Sequence, residues 1–137
     1  MPVSPLAWRR RRDEAAYRRL DWMRQRTAAT VGARVVHVLI GSVHASTGTK
    51  AIVYDEGTRA ECDSWFWHVR VEPGDILAVT GSYGYGPHTG RTGVLYVDGV
   101  YEVLPRVLAE RALRQQRRVG AAAAETAESP LRASSTS

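Results

Sequence analysis

Apolar positions change period twice along this chain. Ala16, Leu20 and Met23 recur at i, i+4 and i+7 with Tyr17 beside them, which predicts a helix over residues 12–29. Asp13 and Glu14 would sit in its first turn, where the helix dipole favours acids. Residues 1–11, with Pro2, Pro5 and Trp8, read as an irregular arm, and Gly32 ends the helical stretch. From Ala33 the period drops to two. Ala33–Ser42 reads as a first strand interrupted at Gly41, as a bulge or barrel-corner glycine would interrupt it. Lys50–Tyr54, Glu61–Val71, Ile76–Thr80 and Val94–Val103 read as four more, the last kinked at Asp98-Gly99. Turns fall at Thr47-Gly48-Thr49, Asp55-Glu56-Gly57-Thr58 and Glu72-Pro73-Gly74-Asp75. Pro105 suits a first helical turn and starts a second helix through about Val119.

The expected organisation is a basic arm and amphipathic helix over 1–32, a barrel over 33–105, a C-terminal helix over 106–119 and a disordered tail over 120–137. Five short strands with Gly/Pro turns, flanked by helices, fit a mainly β chain closed as a five-stranded Greek-key barrel. A small β-sandwich is the rival. Tyr83–Gly93, rich in Gly, Tyr and His, reads as the decorated loop of the last hairpin, at the barrel mouth.

Charge changes the picture by its distribution. The 137 residues carry a formal net charge of +5, nearly all of the cations being arginine, with Lys50 the single lysine. Residues 1–30 hold eight arginines against three acids, a net of +5. Residues 31–105 hold five cations against eight acids, a net of −3, and residues 106–137 hold six arginines against three glutamates, a net of +3. A mildly acidic barrel between basic flanks would have to take its phosphate contacts largely from the flanks. The Arg9–Arg12 run and the heptad-spaced line Arg12, Arg19, Arg26 are the strongest electrostatic footprint. No segment approaches the roughly 20 apolar residues of a membrane helix, no apolar stretch follows the arginine run, and the single Cys62 makes no internal disulfide. The expected location is cytoplasmic.

The motifs Val38-Leu39-Ile40-Gly41-Ser42-Val43, Ile52-Val53-Tyr54-Asp55-Glu56-Gly57-Thr58, Pro73-Gly74-Asp75-Ile76-Leu77-Ala78-Val79-Thr80-Gly81, Thr89-Gly90-Arg91-Thr92-Gly93-Val94-Leu95-Tyr96-Val97 and Glu102-Val103-Leu104-Pro105 carry a resemblance. Over residues 33–105 the chain resembles an oligonucleotide/oligosaccharide-binding fold, the OB-fold. It is similar to the anticodon-binding OB domains of class II aminoacyl-tRNA synthetases, the lysyl type above all. The chain departs from them in lacking the synthetase catalytic domain. Glu72–Asp75 also leaves no room for the helix those domains carry between strands three and four. A free-standing OB protein is the better match. The resemblance implies binding of single-stranded DNA or RNA, DNA slightly preferred.

The candidate contacts follow from that expectation. In strand three the valines mark the core face, so Trp65 and Trp67 are expected inside and Phe66, His68 and Arg70 outside; an inverted assignment would make the tryptophans the stacking platform. Tyr83, Tyr85, His88 and Arg91 stand in the mouth loop, and Lys50, Tyr54 and Arg59 flank strand two. Arg12, Arg19 and Arg26 supply phosphate contacts from the first helix. No metal or cofactor is expected: His37, His44, His68 and His88 lack ligand spacing. Cys62 has no base beside it in sequence, so no enzymatic activity is expected. The alternatives are a protein-docking module using the barrel and the first helix, or an accessory domain handling RNA or tRNA.

Overall fold

A computed structural model describes residues 4–86 and 91–135, with the backbone alone for 42–44, 91–92 and 128–135. Helix α1 spans Pro5–Ala28. It starts well before residue 12 because Ser4 caps it: the Ser4 hydroxyl accepts from the Ala7 amide at 3.1 Å, and Pro5 takes the first turn, where a missing N–H costs nothing. Asp13 therefore lies outside the first turn. It is fully buried instead, held by Arg114 at 3.0 and 3.2 Å and by Arg118 at 3.0 Å from the second helix.

Five strands follow: β1 Ala33–Ala45, β2 Gly48–Asp55, β3 Ala60–Trp67, β4 Ile76–Gly86 and β5 Arg91–Leu104. They close in the order β1-β2-β3-β5-β4, antiparallel throughout except for the parallel pairing of β3 with β5 over Ser64↔Leu95 to Phe66↔Val97. This closed five-stranded barrel, with one helix before it and one after it in the chain, is mainly β and compatible with an OB-like barrel. The expected break near Gly41 is present as register shifts in the β1–β2 pairing. Between β3 and β4 the chain makes only a short connection, with no helix. That connection ends in a close approach: a Cβ on Gly74 would stand 2.4 Å from Arg106 Cγ. Asp75 beside it accepts from the Arg106 amide at 3.0 Å, tying the turn to the start of α2, Arg106–Ser135. Helix α2 runs past Val119 through the run of alanines from Ala121 to Ala124, the best helix formers.

Two cores share the barrel wall. Val36, Val38, Ala51, Val53, Phe66, Leu77, Val79, Leu95 and Val97 fill the interior. Val35, Ile76, Ala78 and Leu104 point the other way, against Ala16, Leu20 and Met23 of α1 and Ala109 and Ala112 of α2. The run Ile76–Val79 is apolar without alternation because both of its faces are covered. Strands β2 and β3 contribute nothing to the helix-covered layer. Their outer face is left to solvent or to a partner.

The expectation for strand three is corrected. Phe66 is fully buried in the barrel core, while Trp67 is 47% exposed and Trp65 is half-buried on the outer face. The reason is a break in phase. β3 ends at Trp67, and His68 takes a left-handed φ of 54°. Val69 and Val71 then reach the core from the connection that follows, so their inward position says nothing about the tryptophans.

Candidate nucleic-acid interface

The outer face of β2 and β3 follows from alternation. Ala51, Val53 and Asp55 turn inward, so Lys50, Ile52 and Tyr54 turn outward; Ser64 and Phe66 turn inward, so Asp63, Trp65 and Trp67 turn outward. The register sets Lys50 opposite Trp65, Ile52 opposite Asp63 and Gly48 opposite Trp67. Ile40 of β1, 54% exposed, continues the row opposite Ile52. The two indoles meet edge to face, with centroids 5.5 Å apart, and the His68 ring lies 6.4 Å from Trp67. A Cβ on Gly48 would sit 3.2 Å from the Trp65 ring and 2.0 Å from the Phe66 carbonyl oxygen. Glycine there lets the indole lie close against the β2 backbone. Trp65 Nε1 is buried and makes no hydrogen bond among the described residues.

A depression of about 330 Å³ adjoins this platform, lined in part by Gly48, Thr49, His68 and Arg70. Arg70 is exposed and reaches Glu72 at 3.1 Å. Thus Lys50 and His68 flank Trp65 and Trp67, and Arg70 lines the adjoining depression. This surface offers two aromatic rings, an ammonium, a guanidinium and an imidazole, which suits stacking on planar bases and pairing with phosphates.

The other expected contacts lie elsewhere. Tyr54, four residues along β2 from Lys50, meets the His37 ring edge-on at 5.7 Å. Arg59 is exposed in the β2–β3 turn with a left-handed φ of 57°. The expected mouth loop is largely strand, since β4 runs to Gly86 and β5 begins at Arg91. Tyr85 is 59% exposed on β4, and its carbonyl accepts from the Tyr96 hydroxyl at 2.7 Å. His88 lies outside the described residues, as does the side chain of Arg91. Arg19 donates to the Val103 carbonyl at 3.0 Å and approaches Glu102 at 3.5 Å. Arg26 borders a cleft of about 200 Å³ beside Tyr101 and Glu102, and Arg12 is exposed on α1.

Tyr83 is engaged in structure. Its hydroxyl donates to the fully buried Asp55 at 2.5 Å, Arg34 meets the same carboxylate at 2.5 Å, and the Gly57 amide donates to it at 2.8 Å. Arg34 also lies 5.0 Å over the Tyr83 ring, and Cys62 Sγ is 3.6 Å from its hydroxyl. Arg34 shares the inward face of β1 with Val36 and Val38, so these groups form a polar cluster at one end of the barrel interior. Burial opposes ionisation of Asp55, but the hydrogen bonds from Tyr83 and Arg34 hold its carboxyl below the usual range. Burial, then donation to Asp55, pushes the Tyr83 phenol well above its ordinary value. Burial likewise raises the Cys62 thiol, which makes it a poor nucleophile.

A second cluster fixes the helices to the barrel. Arg24 grips Glu56 through two bonds of 2.9 and 2.7 Å and donates to Gln116 of α2 at 2.7 Å. His37 Nε2 lies 2.6 Å from the same carboxylate. Burial works against Glu56, yet His37 and Arg24 together bring it down to about 2. No helix among the described residues is long and apolar enough to cross a membrane, and no cluster of metal-binding side chains occurs among them.

The residues that sequence reasoning placed inside, Trp65 and Trp67, form the centre of the candidate surface. A five-stranded barrel is narrow, and two indoles on one inward face would overfill it. Comparison of the chain with protein-family models, with curated proteins and with solved structures finds no match.

Proposed function

We propose that the barrel binds single-stranded nucleic acid on the outer face of β2 and β3. The observation that carries this reading is the Trp65–Trp67 pair of β3, with Trp67 47% exposed, on the β2–β3 face that the helix layer leaves uncovered. Bases would stack on the indoles, a contact of about 1–3 kcal/mol per base that does not depend on sequence. Lys50 and His68 beside the pair, and Arg70 at the adjoining depression, would take phosphates. Small barrels of the OB-like type use this face and its bordering loops for oligonucleotides. The test is anisotropy of labelled oligo-dT and oligo-U at low and moderate salt. Micromolar or tighter binding that weakens with salt supports the reading. A folded protein that binds neither at low salt rejects it.

One observation favours a second reading, a protein-docking surface. Ile40 and Trp67 are 54% and 47% exposed on this face, and residues 31–105 carry five cations against eight acids. An apolar patch within an acidic barrel suits a protein partner as well as it suits bases. A folded protein that binds neither oligo-dT nor oligo-U at low salt would shift the weight to that reading.

A further inference from the structure

Some arginines of the two helices are tied into the fold, while others, Arg18 and Arg26 among them, enter no ion pair among the described residues. Arg19, Arg24, Arg114 and Arg118 are engaged with Glu102, Glu56 and Asp13. Arg9, Arg10, Arg11 and Arg12 are exposed and enter no ion pair among the described residues. They belong to the part of α1 that stands clear of the body. The first buried residue of α1 is Asp13, and of Pro5–Arg12 only Ala7 is half-buried. At about 1.5 Å per residue this overhang is about 12 Å long. Asp13, fixed under two arginines of α2, anchors its root.

Stability does not account for the run. Arg9 and Arg12 stand three apart on one helix face, and like charges at that spacing oppose the helix by a few tenths of a kcal/mol. Four adjacent guanidiniums on a projecting turn are free of the fold and available to a ligand outside the chain. A lipid surface needs an apolar stripe on one side of a helix. Here the two exposed apolar residues, Leu6 and Trp8, are two positions apart and so lie on nearly opposite sides, at about 100° per residue. The four successive arginines encircle the axis instead. A dense run of long guanidinium side chains on a projecting helix end suits a polyanion of closely spaced charges, which is the phosphate backbone of nucleic acid.

We propose that Pro5–Arg12 is a second nucleic-acid contact, separate from the barrel face, that grips phosphates regardless of strandedness. The chain then binds duplex as well as single strands. The barrel face cannot do this alone, since a duplex keeps its bases stacked away from the indoles. Four cations in tandem reach several phosphates at once, because a duplex presents a charge about every 1.7 Å of axis.

The test is anisotropy of a labelled DNA duplex of about 20 bp over about 50 to 200 mM salt, with the full chain. The variant replaces the run by Arg9→Gln, Arg10→Gln, Arg11→Gln and Arg12→Gln. All four positions are exposed, so circular dichroism and the thermal midpoint are expected to stay unchanged. If three of the four meet phosphates, the salt slope falls by about 2.7, and over that salt range the wild type loses about 40-fold more affinity than the variant does. Trp67→Ala leaves duplex binding intact and weakens oligo-dT, which separates this contact from the barrel face. Duplex binding that persists without oligo-dT binding would sink the barrel-face reading and support this one. A wild type that ignores duplex at low salt, or a quadruple variant that binds it as the wild type does, overturns the proposal. So does capture of the wild type by phosphatidylglycerol vesicles without any duplex binding.

Discussion

Glu56→Gln tests how the helices are held to the barrel. Glu56 takes two bonds from Arg24 of α1, and Arg24 also reaches Gln116 of α2; His37 of β1 meets the same carboxylate. The carboxyl drops from its ordinary 4.5 to about 2 in the folded chain. Its folded value lies below its unfolded one, so the stabilisation is present above about pH 4.5 and is lost as pH falls towards 2. At about 1.4 kcal/mol per pH unit, that separation corresponds to about 3 kcal/mol at neutral pH. Glutamine keeps the shape and removes the charge. Urea denaturation of both proteins at neutral pH should show the variant less stable by about 2–3 kcal/mol, since the pair is largely withdrawn from water. The gap should close as the pH is taken down to about 2.5. Asp55, whose carboxyl is also lowered, is present in both proteins, so its own acid sensitivity cancels in the difference. A gap that is absent at neutral pH, or that stays constant down to acid, refutes the clamp.

Other substitutions separate structural from binding roles. Tyr83→Phe removes the donor to buried Asp55 and should cost about 1.5–3 kcal/mol in urea denaturation while leaving oligo-dT affinity within about twofold; a large loss of affinity without loss of stability would return Tyr83 to the binding surface. Phe66→Ala should cost about 3–5 kcal/mol, because Phe66 is wholly buried among the core valines and leucines. A cost under about 1 kcal/mol would mean that Phe66 is outward after all.

Much of the barrel was legible in the sequence because its punctuation is local. Glycine and proline turns marked all five strands, and the brevity of Glu72–Asp75 already excluded a helix between the third and fourth strands. The start of α1 was missed because Pro5 was taken as a breaker, whereas Ser4 before it makes it a first-turn residue. Asp13 looked like a dipole residue and is an inter-helix anchor, since its partners lie about a hundred residues away in the chain. The faces of strand three were inverted at one residue. His68 takes a left-handed conformation that its sequence does not announce, and counting alternation through it reversed the faces of Trp65 and Trp67. Tyr83 was read as a mouth aromatic because nothing local reveals that its hydroxyl meets Asp55 across the barrel end.

The most direct measurement is the affinity of labelled oligo-dT for the wild type, for Trp67→Ala and for Tyr85→Ala at one low salt concentration. The β2–β3 platform predicts that Trp67→Ala weakens binding by about 5- to 150-fold, the worth of one stacked base, while the protein stays folded. Tyr85→Ala, on the β4–β5 hairpin, should change it far less. Equal affinity in Trp67→Ala and the wild type would contradict the account, and the contradiction would be complete if Tyr85→Ala carried the loss instead.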